Sequence, residues 1–233
     1  MILKDIIDFI DKKIPPELAL DFDNIGFTGE YDLNKDISKI KIYMDLLPEY
    51  DDNDDNTLII THHPPIFKPK TPTYVIHSNW DIIDGGANDV LALVLGLEVS
   101  DYFDNKTHIG RICKCNLTFK DFKNTVMLNF KDSRIVNPPS HNQIIRKIGI
   151  ISGFGLKNPD YIKLACEKNL DILVSGDLCQ ETAILSKYYN ICSIDLKHHE
   201  SEVPGLYKLG EQFSELNVDV EVINIKLIEK FCD

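Results

Sequence analysis

The sequence has no apolar run approaching the roughly 20 residues that a membrane-spanning helix needs. Its first residues, MILKDIIDFI, carry Asp5 and Asp8 and offer no small-residue cleavage site, so a signal peptide is not expected. The six cysteines (Cys113, Cys115, Cys166, Cys179, Cys192 and Cys232) are scattered and form no C-x-x-C pair. That spacing argues against a disulfide framework and against a cysteine-built zinc site, and a reduced, cytoplasmic setting is the expectation. There is no G-x-G-x-x-G and no Walker lysine; Ser152-Gly153-Phe154-Gly155 is only a fragment of a phosphate loop. Basic charge is also short: 25 Lys+Arg against 37 Asp+Glu leave a net of -12, which speaks weakly against a nucleic-acid partner. What is present is ordinary globular composition, 43% hydrophobic and 27% charged over 233 residues, enough for one large domain or two small ones.

The charge is unevenly spread. Residues 1–105 hold 8 basic and 21 acidic side chains, and residues 148–233 hold 8 and 14. Residues 106–147 hold 9 basic side chains against Asp121 and Asp132 alone, a local net of +7. Such a block is either a solvated face, the commoner case, or a contact for phosphate or an acidic surface.

Periodicity supplies the elements. Ile2, Leu3, Ile6, Ile7 and Ile10 fall at helical spacing, predicting a helix over 2–13 that ends before Pro15-Pro16. Strands are expected at 39–46 and 57–61, a helix at 87–96, an extended segment at 109–119 and a helix at 120–129 started by Thr118 with Asp121. Asn137-Pro138-Pro139-Ser140 is the best linker candidate. Beyond it, strands at 147–152, 171–175, 191–195 and 218–226 alternate with helices at 159–168, 180–188 and 204–216. This rhythm predicts an α/β protein with mixed, largely parallel sheets, in two α/β lobes. The lobes are expected at 1–108 and 109–233, with the final strand a candidate to return to the first.

In open α/β sheets, sites lie beyond the carboxyl ends of strands. Those ends carry Thr61-His62-His63-Pro64-Pro65, Ser175-Gly176-Asp177 and Asp195-Leu196-Lys197-His198-His199-Glu200-Ser201-Glu202, with His77-Ser78-Asn79-Trp80-Asp81 between them. Five of the seven histidines fall here, four as adjacent pairs, and imidazole with carboxylate holds Zn, Fe, Mn or Co without cysteine. Neighbours in a strand point to opposite sides, but a turn at its end can aim two histidines at two ions. Asp81, Asp177, Asp195 and Glu202 are candidate carboxylates, and His198 with Glu202 would share a helix face. Asp177 and Asp195 could equally be caps, and a single His-His pair is most often a surface feature.

Taken together and in order, these motifs resemble the NGG-interacting factor three family, whose members carry the name GTP cyclohydrolase type 2. The resemblance rests on Asp23-Asn24-Ile25-Gly26-Phe27, the His62-His63-Pro64 run, His77 to Asp81, Gly85-Gly86-Ala87-Asn88-Asp89, Gly110-Arg111, Ser152 to Gly155, Ser175-Gly176-Asp177 and His198 to Glu202. It covers nearly the whole chain. It implies a dinuclear metal site between two α/β lobes, with His62, His63, Asp81, His198 and Glu202 as ligands of two divalent ions (Fe, Zn, Mn or Co). His77 matches the histidine beside the metals and is the candidate catalytic acid or base. The resemblance also implies a cage-like homohexamer, a trimer of dimers, without the central inserted domain of longer members. Cys179-Gln180-Glu181 stand where the family often has aromatic and histidine residues, while Trp80 and Lys197 replace the usual Leu and Gly beside ligands.

Three functions follow as expectations. The first is a metal-dependent hydrolase resembling the GTP cyclohydrolase type 2 proteins. The second is a DNA-binding cage without sequence preference, using Arg111, Lys114, Lys120, Lys123, Lys131 and Arg134 of the basic segment. The third is a metal-trafficking scaffold without turnover. No membrane partner is expected.

Overall fold

A computed structural model describes residues 1–228. In chain order its helices and strands are α1 (Leu3–Lys13), β1 (Gly26–Phe27), β2 (Lys39–Tyr43), β3 (Thr57–Thr61), β4 (Thr73–Val75), α2 (Ser78–Ile82), α3 (Ala87–Val94), β5 (Glu98–Tyr102) and β6 (Arg111–Thr118). They continue with α4 (Phe119–Asn129), β7 (Arg134–Val136), β8 (Ile144–Ile150), α5 (Asp160–Glu167), β9 (Ile172–Ser175), α6 (Gln180–Tyr188), β10 (Cys192–Asp195), α7 (His198–Gln212) and β11 (Asp219–Ile223). By packing, the chain forms two compact units: Met1–Ile83 with the chain from Leu206 onward, and Asp84–Gly205. The division expected at 108/109 would separate β5 from its partner β6, whereas packing divides the chain at Ile83/Asp84 and inside α7.

The first unit is built on a five-stranded sheet in the order β1-β4-β3-β2-β11. Every pairing is parallel except β1 with β4. β3 (TLIIT) is buried at all five positions because it has strands on both sides and apolar cover on its faces, as a central parallel strand requires. The ladder runs past the strand end, with His62 N–H donating to Tyr43 O at 2.9 Å and His63 N–H to Met44 O at 2.9 Å. The two histidines therefore leave β3 at its carboxyl edge on a held backbone. α1 buries Leu3, Ile6, Ile7 and Ile10, the stripe that the sequence spacing marks.

The second unit has a six-stranded sheet in the order β5-β6-β8-β9-β10-β7. β8, β9 and β10 run parallel, and the flanking pairings are antiparallel. Leu91 and Leu95 from the α3 region, Phe119, Phe122 and Val126 from α4, and Ile148 and Ile150 from β8 share one core. Thr118 caps α4, its side chain accepting the Asp121 N–H at 3.2 Å, as the capping signal predicts. Asn137-Pro138-Pro139-Ser140 lies within this unit and is not a linker between units.

Four strands escape the sequence pattern. β1 has two residues and β4 and β7 three each, too short for a period, and β5 (EVSDY) is an exposed edge strand whose burial does not alternate. The helix expected at 204–216 starts six residues earlier, at His198. Pro204 sits inside α7, where its missing N–H forfeits only the bond to the Glu200 carbonyl. Among the described residues Cys113, Cys115, Cys166, Cys179 and Cys192 are free thiols, and burial pushes Cys113 and Cys192 up to about 12. Cys232 lies outside the described residues. No helix among them is long and apolar enough to cross a membrane.

Candidate metal-binding groups

In the first unit, the carboxyl end of β3 presents His62 and His63 on consecutive residues. The backbone bends at both, so the rings tilt toward one another with centroids 5.0 Å apart instead of pointing to opposite faces. The His77 ring joins them, 5.0 Å from His62 and 5.4 Å from His63. One ring nitrogen from each of the three lies within 4.8 Å of the others. α2 carries Asp81 one turn beyond His77, its N–H bonded to the His77 carbonyl at 3.2 Å. This places Asp81 Oδ1 3.8 Å from His62 Nε2, beyond hydrogen-bond distance.

Each of these rings is held the same way. His62 Nδ1 lies 3.1 Å from the Ile76 carbonyl, His63 Nδ1 2.8 Å from Asp45 Oδ1, and His77 Nδ1 2.8 Å from Asp23 Oδ1. A carbonyl or carboxylate can only accept, so Nδ1 carries the proton and the neutral ring keeps its lone pair on Nε2. A metal-ligating histidine shows this arrangement, with its other nitrogen donating to an oxygen that fixes tautomer and aim. Asp23 also accepts the Ser78 N–H at 3.0 Å. Burial opposes its ionisation, yet the hydrogen bonds from His77 and Ser78 prevail and hold its carboxyl well below the usual range.

In the second unit, His198 is the first residue of α7, and Glu202 follows one turn later with only 4% of its surface exposed. His198 Nδ1 lies 2.8 Å from Asp177 Oδ2 and Nε2 lies 3.2 Å from Glu202 Oε1. Asp177, in the turn after β9, has a left-handed backbone (φ +61°) and is not the cap of α6, whose N-cap is Cys179. The Ser152–Gly155 loop closes against this group. Gly153 donates its N–H to Ser201 Oγ at 2.8 Å and accepts the Gly176 N–H at 2.8 Å. A Cβ on Gly153 would lie 2.1 Å from Glu202 Oε1, and one on Gly176 would lie 2.6 Å from the His198 backbone nitrogen. Gly176 is required by the close approach of its backbone to the helix start, whereas Gly153 leaves open the space that the Glu202 carboxylate occupies.

Burial acts against a charged His198, but the Glu202 and Asp177 carboxylates outweigh it and raise the imidazole to about 9. At neutral pH without metal, His198 is an imidazolium bridging two carboxylates. Its contribution to stability is therefore complete below its ordinary 6.5 and is lost as pH rises through about 9. An ion taken up at this pair must displace that proton. Titration with a divalent metal at pH 7.5, in buffers of differing ionisation enthalpy, is expected to show close to one proton released from this group. Release unaffected by His198→Ala would contradict the assignment.

The residues expected to contact nucleic acid divide into two kinds. Lys114, Lys120, Lys123 and Lys131 are exposed, with Lys114 3.4 Å from Glu98. Arg111 is a correction: its side chain is only 1% exposed, and it donates from Nε and Nη2 to the two Asp89 oxygens at 3.0 and 2.8 Å. It is an interior ion pair and presents no charge to a ligand. Arg134 is partly exposed but bonded to buried Asp195, which is thereby not a ligand candidate. Asp45, the partner of His63, escaped the reading of the sequence, although it stands just past β2 at the kind of strand end that marked His62.

Two mixed α/β sheets, with His and Glu groups that could hold a metal ion, define the class of protein. The chain belongs to the Duf34/NIF3 (NGG1p interacting factor 3) family, whose model matches residues 1–73 and 71–230. It is 35% identical over 223 residues to the "GTP cyclohydrolase 1 type 2 homolog" of Methanothermobacter thermautotrophicus, covering 95% of this chain and 92% of that protein. The protein of the same name from Methanocaldococcus jannaschii is 30% identical over 244 residues, with 95% and 98% covered. Among solved structures, reduced HcgD from Methanocaldococcus jannaschii superposes with a TM-score of 0.83 at 28% identity, covering 95% of this chain and 97% of that one. Staphylococcus aureus hypothetical protein SA1388, at TM-score 0.81 and 22% identity over 99% of both chains, shares the fold.

Proposed function

We propose that this chain is a dinuclear metal protein of the hydrolase type, with His62, His63, Asp81, His198 and Glu202 as ligands. The observation that carries the reading is the shared tethering of the histidines. His62, His63, His77 and His198 each turn Nδ1 to a carbonyl or carboxylate oxygen. Mixed imidazole and carboxylate donors suit Fe, Zn, Mn or Co. Two bound ions supply Lewis acidity toward a carbonyl or phosphoryl oxygen. Asp45 and Asp177 orient the ligand rings. His77, held through Nδ1 by Asp23 and 29% exposed, has Nε2 available to take or give a proton at a reacting group. The name of the curated relatives supports hydrolysis of a nucleotide-like substrate. A homohexamer and a cytoplasmic setting belong to the same proposal.

The test is metal analysis and turnover on one preparation. Wild type is expected to hold two divalent ions per chain, and the His62→Ala/His63→Ala variant fewer than one. Loaded wild type is expected to hydrolyse GTP or a simple phosphodiester faster than that variant. Two bound ions with no turnover above the variant would favour the trafficking scaffold. Equal metal content in both proteins would end the reading. The DNA-binding alternative is weaker, because Arg111 and Arg134 are engaged by Asp89 and Asp195 and only the four lysines remain.

A further inference from the structure

We propose that Arg134 and Asp195 are positioning residues for His198, an inference that rests on the metal reading above. Asp195 ends β10 with no exposed surface, three residues before His198. One carboxylate oxygen accepts the Lys197 N–H at 2.9 Å. The other accepts Arg134 Nε at 2.6 Å and also meets Nη2 of the same guanidinium. The sheet register explains the encounter: β7 runs antiparallel to β10 with Arg134 directly opposite Asp195.

The turn that this carboxylate holds is an unfavourable one. Lys197 has φ +74°, a left-handed conformation that a residue with a Cβ adopts only when its surroundings impose it. Asp195 imposes it locally through the bond to the N–H two residues on, as aspartates do in turns. Arg134 in turn neutralises a carboxylate buried at the carboxyl end of β10, fixing which oxygen faces the turn. Lys197 immediately precedes His198, so its backbone sets the position from which the imidazole departs. His198 is then defined twice, with Asp177 aiming the ring and Asp195 placing its backbone. A ligand displaced by much more than about 0.5 Å loses coordination geometry, so relaxation of the turn is felt at the metal.

The experiment uses the full chain and Co(II), whose visible absorption reports coordination geometry, on wild type, Arg134→Gln, Arg134→Lys, Asp195→Asn and His198→Ala, each also melted without metal. Arg134→Gln alters a side chain 53% exposed, so the fold is expected to persist. It is expected to weaken Co(II) binding by about tenfold to a hundredfold and to shift the absorption bands, as loss of an outer ligand support does. Asp195→Asn is expected to act in the same direction, and Arg134→Lys to recover part of the affinity. If Arg134→Gln lowers the melting temperature while affinity and bands stay as in wild type, the pair is structural and the proposal is overturned. If His198→Ala and wild type bind Co(II) alike, the metal reading itself fails, a result distinct from the first.

Discussion

Gly153→Ala is expected to weaken divalent-metal binding at His198 and Glu202 by at least about a hundredfold while leaving the protein folded. The added Cβ would stand 2.1 Å from Glu202 Oε1 and 3.4 Å from His198 Nε2, so it takes the space of the carboxylate itself. The clash is with the far end of a side chain that can rotate, and the fold can therefore relieve it. The stability cost is then mainly the left-handed backbone at φ +78°, about 1–2 kcal/mol for a residue with a Cβ. Metal binding has no such escape. Loss of an outer support alone typically costs 10–100-fold, and here a proposed ligand is displaced. Metal titration and chemical unfolding on the same preparation check both halves. Wild-type affinity in Gly153→Ala would remove Glu202 from the ligand set.

Asp89→Ala is expected to act oppositely, costing about 3 kcal/mol of stability with metal content per folded chain unchanged. The substitution leaves the Arg111 guanidinium buried without the carboxylate that meets both its Nε and Nη2. Asp84 lies 3.7 Å from Nη2 but is 85% exposed, and carbonyls of His108 and Gly110 at 3.2 and 3.1 Å do not neutralise charge. Asp89 also accepts the Gly85 N–H at 2.9 Å at the start of α3, so the helix loses an end contact as well. For a chain of this length the midpoint of thermal unfolding should fall by about 6–12 °C. A loss below about 1 kcal/mol would show that the pair is dispensable. DNA retention unchanged by a surface-preserving Arg111 substitution would agree with the buried placement.

These two outcomes bear on the basic segment. Its +7 excess is one number in the sequence but several situations in the fold. Arg111 neutralises Asp89 inside the second unit, Arg134 meets Asp195, and Lys147 donates to the Lys168 carbonyl at 2.7 Å. The partners of those charges lie outside the segment, so a count of charge along the chain registers the cations and misses what answers them.

The same distinction separates what could be read along the chain from what could not. Short-range spacing carries through directly. His198 and Glu202 are four apart, α7 gives them one face, and their facing atoms come to 3.2 Å. The alternation of strands and helices produces two mixed sheets, and the His62-His63 pair stands at the carboxyl end of β3, where an α/β sheet leaves room for chemistry. These features depend on helical and strand periods that each segment holds by itself. The partners that give the histidines a role are remote in sequence: Asp45 is 18 residues from His63, Asp23 is 54 from His77, and Asp177 is 21 from His198. Arg134 reaches Asp195 across 61 residues. Strand register sets only the last of these, Arg134 standing opposite Asp195, whereas Asp45, Asp23 and Asp177 lie in turns and loops that packing brings beside their histidines. The residue types and their order therefore announce an imidazole and carboxylate chemistry, whereas packing determines which nitrogen keeps its lone pair, which arginine is spent on the interior and where a glycine is indispensable.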